Sequence, residues 1–517
     1  MIDMRKTVLY LLLTLLSAVV SLAQPPYAAL QKKVYPNPAG VVFTTPTLTL
    51  SEDRFASYDE VMAWLAARAE DPRMTLSIIG TTTKGRDVPM YCLSNGKKGR
   101  KVKVWLQGAI HGNEPASTES LLQLTDDILR TDAGAKLLER MDVYILPIAN
   151  LDGYLANKRV SGDGYDLNRD QTKFADPQSV LIKRAFMEVS PDVAVDFHEF
   201  QPNRPVAVHS AEPNAILYYD ALFLPTGHPN VPQALRDATI RLYEEPCAAA
   251  LDAIGYSHFE YFTISQQDGE MTLTLNARSP QSSSTSYALS GAVSFFVELR
   301  GIGLGRLSLE RRTYCGLTVA RTILESTYAH RSEILRTVKK ARRQTVRGKE
   351  PVTVLFHSRE KRVPVTFLDV EKAAPVVLEN VRILDAREPQ ADLVRTRPAA
   401  YVIEASEKRA VENLRTLGVQ VEELKAPQRL AVEAFRVTQR EEADKPWEKI
   451  RRVTVRTEPE ATEREFPAGT VLVRLDQPHA NFAVSVLEPE SENGFVSFRV
   501  TEAVVGELLP IYRLINH

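Results

Sequence analysis

The chain has 517 residues, 44% hydrophobic and 25% charged, with a formal net charge of −1. That length exceeds one ordinary core and implies two or more domains. The balanced charge excludes a global field that would draw the chain to nucleic acid or an anionic membrane, and three cysteines exclude a disulfide framework.

Met4-Arg5-Lys6, an uncharged apolar run from Val8 to Val20, and Ser21-Leu22-Ala23 before Gln24 form the pattern of a cleaved secretory signal over residues 1–23. The apolar run is short for a membrane span, which needs about 20 residues; a retained anchor is the alternative. Residues 24–52 carry Pro25, Pro26, Pro36, Pro38 and Pro46 and read as an extended arm. Ser57-Tyr58-Asp59-Glu60 is a capping box opening a helix. Strands are expected at Leu76–Ile79, Val88–Leu93 and Val102–Leu106, then a helix from Ala116 to Arg130. Further strands at Val143–Ile148, Val193–Phe197 and Val293–Leu299 alternate with helical stretches such as Val180–Met187. This pattern predicts an α/β fold over residues 53–347: a mixed, mostly parallel sheet with helices on both faces.

A long helical region is expected from Leu307 to Val346, ending in a basic face exposed to solvent. Gly348 then marks a boundary. Residues 350–517 read as a smaller strand-rich α+β accessory domain, with strands at Val352–Phe356, Val363–Phe367, Val453–Val455, Val471–Leu475 and Phe482–Val486. One β-α-β unit is expected from Ala400–Ala405, Glu407–Leu417 and Val419–Leu424.

Three motifs carry chemistry: His111-Gly112-Asn113-Glu114, Asp196-Phe197-His198-Glu199-Phe200, and Phe295-Phe296-Val297-Glu298-Leu299-Arg300. Two imidazoles and one carboxylate have the types of a three-ligand catalytic zinc site that leaves one position open. Each motif falls at the expected carboxyl end of a strand, where open α/β sheets place ligands. Glu298, alone in an apolar strand, is a candidate base or else an ion-pair partner of Arg300. Asp166-Leu167-Asn168-Arg169-Asp170 offers groups for the anionic end of a substrate. Together these suggest metal-assisted hydrolysis of an amide beside a free carboxylate. His209, His228 and His258 are rival ligands.

The order HxxE, Asn-x-Asp-Gly, Asp-Leu-Asn-Arg, His, and Phe-x-x-Glu-Leu-Arg resembles the zinc carboxypeptidase family typified by carboxypeptidase A, from about Phe55 to Thr327. Ile79-Gly80 to Gly85-Arg86 is similar to the family's early strand pair. The resemblance implies one zinc ion held by His111, Glu114 and His198, with Glu298 as general base and then acid. It implies that Asn168 and Arg169 bind the substrate's terminal carboxylate, Asp166 orients His111, and Arg159 polarises the scissile carbonyl. Tyr287, with Tyr261 as rival, would close over the substrate. Asn113 stands where many digestive members have Arg. The specificity segment would lie near Arg278 to Ser286, where the serines speak against a basic terminal residue and Arg278 could favour an acidic one. With the leader, the expectation is an exported metallocarboxypeptidase, periplasmic, cell-surface or extracellular. Its partners would be peptides or proteins with a free C-terminal carboxylate, with no nucleic acid and no membrane span after cleavage. Two alternatives stay open: a peptidoglycan stem-peptide amidohydrolase using the same site, and a non-catalytic exported binding protein retaining the fold.

Overall fold

The structure, a computed structural model, describes residues 27–210, 212–276 and 278–515. The leader read at residues 1–23 lies outside them. No helix among the described residues is long and apolar enough to cross a membrane.

The first eleven strands are β1 Met74–Thr81, β2 Asp87–Leu93, β3 Val102–Gly108, β4 Met141–Leu146, β5 Val193–Phe200, β6 Ala215–Leu217, β7 Ala221–Phe223, β8 His258–Glu260, β9 Thr263–Gln267, β10 Glu270–Leu275 and β11 Val293–Arg300. Eight of them form one mixed sheet in the order β1-β2-β4-β3-β5-β11-β7-β8. The central strands β4, β3, β5 and β11 run parallel. Every residue of β5 and of β11 is buried, because helices cover both faces. Helices Pro115–Arg130 and Leu309–Ala329 pack through Leu121, Leu124, Val319 and Ile323 against one face. Helix Pro177–Val189 and helix Ser283–Leu289 pack through Ile182, Phe186 and Tyr287 against the other. The expected fold class therefore holds. The Ser57 capping box is present, its side chain accepting from the Glu60 N–H while Glu60 reaches back; such caps contribute about 1 kcal/mol.

The boundary at Gly348 does not separate two cores. The expected strands 352–356 and 363–367 are one strand, β12 Val352–Asp369, which forms a long hairpin with β13 Ala374–Arg395. This hairpin joins strands from the first 300 residues in a five-stranded sheet, β6-β12-β13-β10-β9. Val365, Phe367, Val381 and Ile383 share a core with Leu217, Leu224, Phe262 and Phe296. The alternation of apolar residues marked the strands but carried no information about their partners. Beyond them lies a six-stranded sheet of β14 Ala400–Ile403, β15 Glu422–Glu423, β16 Gln428–Glu442, β17 Val453–Phe466, β18 Val471–Arg474 and β19 Ile511–Leu514.

Three further expectations are corrected. Phe482–Val486 belongs to a buried helix, Ala480–Leu487; a short continuous apolar run fits either element when all sides are covered. The long helical region is two helices, ending at Ala329 and restarting at Arg331. The arm is not simply extended: it contains helices Ala28–Val34 and Pro46–Thr49, docked in part by Gln31, which bonds Asn203 at 2.7 Å and accepts from Arg300 at 3.1 Å.

Candidate metal centre

The carboxyl ends of β3, β5 and β11 meet at one point. After β3 the chain turns through Ala109, held left-handed at φ 46°, into the His111–Glu114 loop. Gly112 is required there: a Cβ would lie 2.0 Å from the backbone of Gly153. Two glycines from separate motifs thus let two loops touch. In β5, His198 is paired in register with Glu298 of β11, so parallel neighbours put both side chains on one side of the sheet.

His111 Nδ1 lies 2.7 Å from Glu114 Oε1, His198 Nδ1 lies 3.1 Å from Glu114 Oε2, and the two Nδ1 atoms are 3.1 Å apart. All three residues are buried, and their ligand atoms fall within 4.8 Å of one another. The opposite ring nitrogens are held by carboxylates: His111 Nε2 is 3.2 Å from Asp166 and His198 Nε2 is 2.8 Å from Asp196. That arrangement fixes each ring and leaves both Nδ1 lone pairs convergent with a carboxylate, a donor set that fits zinc. His209, His228 and His258 lie elsewhere, beside the Val377 carbonyl, the Asn230 N–H and Asp252 respectively.

A cavity of about 200 Å³ opens beside these donors, and His111, Arg159, Asn168, Arg169, Tyr261 and Glu298 line it. Glu298 is 5% exposed, and its Oε2 has no hydrogen-bond partner among the described residues. Burial pushes its carboxyl up to about 8, with the His198 imidazole opposing and the Glu114 carboxylate adding to the rise. Arg300 is not its partner; that guanidinium donates to the Leu217 and Tyr219 carbonyls. Asp166 caps the short turn Leu167–Arg169, accepting from the Asn168 N–H at 2.9 Å. Arg159 forks onto Asp166 at 3.0 and 2.7 Å and reaches to 4.0 Å from Glu114. Burial would raise the Asp166 pKa, but His111, Arg159 and Arg169 outweigh it and hold the carboxyl well below its usual range. Asn168 Oδ1 accepts from the Ser283 N–H and hydroxyl at 2.8 and 3.0 Å. Its amide N–H groups are therefore the ones left for an anion.

The structure places Tyr287 elsewhere. It is fully buried, stacked on Phe186 and donating to Gln107 Oε1 at 2.7 Å. Its rival Tyr261 lines the cavity, with its ring 5.3 Å from Phe296. Arg278 also points away, donating to the Phe356 carbonyl and facing Glu492 at 3.3 Å. The pocket walls are instead Leu217, Leu224, Phe262, Ile264 and Phe296, with Asn276, Ser282 and Ser284. Two acids in the Asp196–Phe200 motif had no assigned role in the sequence reading. Asp196 orients His198 and accepts from Gln107 at 3.0 Å. Glu199, next along the strand, accepts from Arg312 Nη2 with both carboxylate oxygens at 2.7 and 2.9 Å and from the Ala116 N–H at 3.0 Å. Two acids and a histidine in one fully buried strand were the signal for both.

An open set of nitrogen and oxygen donors beside a buried, unpartnered carboxylate defines a metal-dependent hydrolase. Residues 61–188 match the family model Peptidase_M14, described as zinc carboxypeptidase. Carboxypeptidase 2 of Trichophyton equinum is 31% identical over 439 residues, covering 83% of this chain and 81% of that protein. Carboxypeptidase 2 of Trichophyton rubrum is 31% identical over 454 residues, with the same shares. Among solved structures, a metallo-carboxypeptidase from Pseudomonas aeruginosa in complex with (2-guanidinoethylmercapto)succinic acid is 18% identical with a TM-score of 0.40, over 54% of this chain and 70% of that one. The chain belongs to the zinc carboxypeptidase family and is a metallopeptidase.

Proposed function

We propose that the chain is an exported, zinc-dependent metallocarboxypeptidase that hydrolyses the C-terminal peptide bond of peptides or proteins. One observation carries the reading: a His-Glu-His donor set stands beside a cavity lined by its His111, by a buried carboxylate without a partner among the described residues, and by an Asn-Arg pair. His111, Glu114 and His198 would hold one zinc ion. Bound there, zinc supplies a Lewis acid for the scissile carbonyl and lowers the pKa of water.

Glu298 takes a proton from the attacking water and delivers it to the departing amine, so the C–N bond breaks after the C–O bond forms. Its raised pKa suits both transfers, because the group must accept a proton and then release it. Arg159 donates to the carbonyl oxygen as negative charge develops. Asn168 and Arg169 hold the terminal carboxylate, and Tyr261 covers the substrate. The apolar walls Leu217, Leu224, Phe262, Ile264 and Phe296 suit an apolar terminal side chain. A groove of about 1450 Å³, lined by Tyr35, Phe55, Asn113 and Asn157, lies near the cavity, and Ile302 lines both. That space supports a polypeptide substrate over a small amino-acid derivative.

The test is release of C-terminal amino acids from a mixed peptide library by the mature protein, with metal analysis. The expected result is about one zinc per chain and preferential release of apolar residues. Zinc without trimming would sink the substrate reading and point to peptidoglycan stem peptides. Absence of zinc would sink the metal reading. Export is checked by N-terminal sequencing of the mature protein, which should begin at Gln24.

A further inference from the structure

The loop that carries Asp166, Asn168 and Arg169 is braced from 282 residues away: the Asp166 N–H donates to Glu448 Oε2 at 3.0 Å. Glu448 sits at the tip of the β16–β17 hairpin. There Trp447 and Ile450 exchange both backbone hydrogen bonds, at 2.9 and 3.0 Å, around Glu448 and Lys449. Both central residues are left-handed, at φ 49° and 64°. This is the tight turn that matches strand twist, usually built from Asn and Gly. A Glu-Lys pair is an unfavourable choice for it, so surrounding contacts must hold the conformation.

The contacts of Glu448 and Lys449 fall on the catalytic loop or just before it, and Trp447 anchors the turn within the C-terminal region. Lys449 Nζ donates to the Asp163 carbonyl at 2.5 Å and stands 3.8 Å over the Tyr165 ring. Trp447 stacks on Phe498 with ring centroids 6.1 Å apart. Asp166 is the junction being held. Its carboxylate touches His111 and Arg159, and the Asn168-Arg169 pair follows within one turn. A shift of its backbone would therefore move a metal donor, the carbonyl-directed arginine and the carboxylate clamp together.

We propose that Glu448 is a positioning residue for the catalytic loop, so that the C-terminal region sets both metal retention and substrate anchoring. Both halves rest on the function proposed above, the anchoring half on its substrate and the metal half on its zinc site alone. The test uses the full zinc-loaded chain with Glu448→Ala, Glu448→Asp and Glu448→Gln. It measures zinc affinity by chelator competition, KM and kcat on a peptide with a free carboxylate, and thermal midpoint. Outer partners of metal ligands typically change affinity 10–100-fold. Glu448 lies one contact further out, so the expected loss in Glu448→Ala is about 10-fold in zinc affinity, with a KM rise of about 10-fold. Glu448→Asp, which keeps the charge but withdraws the oxygen, shows the same direction in a turn that still folds. Glu448→Gln keeps an acceptor and restores both readings, at an unchanged thermal midpoint. Wild-type zinc affinity in both Ala and Asp variants would overturn the proposal. So would a Gln variant as defective as Ala with a matching fall in thermal midpoint, since that marks a merely structural turn. If wild type trims no peptide while zinc affinity follows the Ala, Asp and Gln pattern, the function reading fails and the positioning role stands.

Discussion

The eight-stranded and five-stranded sheets meet at the same cavity and contribute different things to it. The first holds the candidate reactive groups at the ends of central parallel strands: His111 after β3, His198 in β5 and Glu298 in β11. The second supplies walls. Leu217 of β6 and Ile264 of β9 belong to a sheet whose middle is the 352–395 hairpin. The candidate chemistry thus stands on buried central strands, and the pocket walls are assembled from distant parts of the chain. The two sheets also share a core: Phe200, Leu222 and Phe296 of the first pack with Phe367 and Ile383 of the second behind the pocket walls, while Leu106 and Val195 lie in the larger core under the metal donors.

The largest effect is expected on the first sheet. Glu298→Gln should lower kcat by about 10²–10⁴-fold while zinc content and the affinity for a C-terminal carboxylate stay at wild-type levels. Loss of zinc in that variant would mean that Glu298 helps hold the metal rather than moving a proton. The next effect is on the second sheet. Phe367 is fully buried and paired in register with Leu217 across β12 and β6. Phe367→Ala should cost about 3–5 kcal/mol in unfolding free energy and raise KM for apolar terminal residues, with kcat and the pH profile little changed. If kcat collapses as in Glu298→Gln while KM holds, the division between the two sheets is wrong.

The same division decided what could be read from the sequence. The metal donors and Glu298 were legible because each lies at the end of a long apolar strand, in a fixed order along the chain, where ligands are expected in such folds. Asp166 was legible through its neighbours Asn168 and Arg169. The tyrosine that lines the cavity was not. Tyr287 has a serine-rich context near the expected pocket, but the helix Ser283–Leu289 turns it into the core. Tyr261 follows a three-residue strand with no motif around it. The pocket walls were hidden for a similar reason: β6, β9 and β10 are short, and β12 and β13, which pair with β6 and β10, lie more than a hundred residues away in sequence. Periodicity marks a strand's faces, not its neighbour. Glu448 was illegible outright, since its role rests on one contact between distant turns.

The smallest effect tests how the outer helix of the first sheet meets the C-terminal region. Lys183 on helix Pro177–Val189 is fully buried, contacts the Ser286 hydroxyl, and is caged by the rings of Phe186, Tyr287 and Phe482 at 5.4, 4.9 and 5.7 Å. No carboxylate pairs with it among the described residues. Burial pushes its pKa down from 10.5 to about 7. Between those values the unfolded chain keeps a proton that the folded chain has released, so stability rises with pH across that window. Below about pH 7 the folded state carries the whole cost of the buried ammonium. Lys183→Met should therefore stabilise the protein by about 1–3 kcal/mol at pH 6, and the gain should shrink steadily as pH approaches 10. Thermal or denaturant unfolding of the two proteins across that range measures it. A gain independent of pH would mean that the aromatic cage and Ser286 already compensate the charge, and that this contact between the two regions is settled by packing alone.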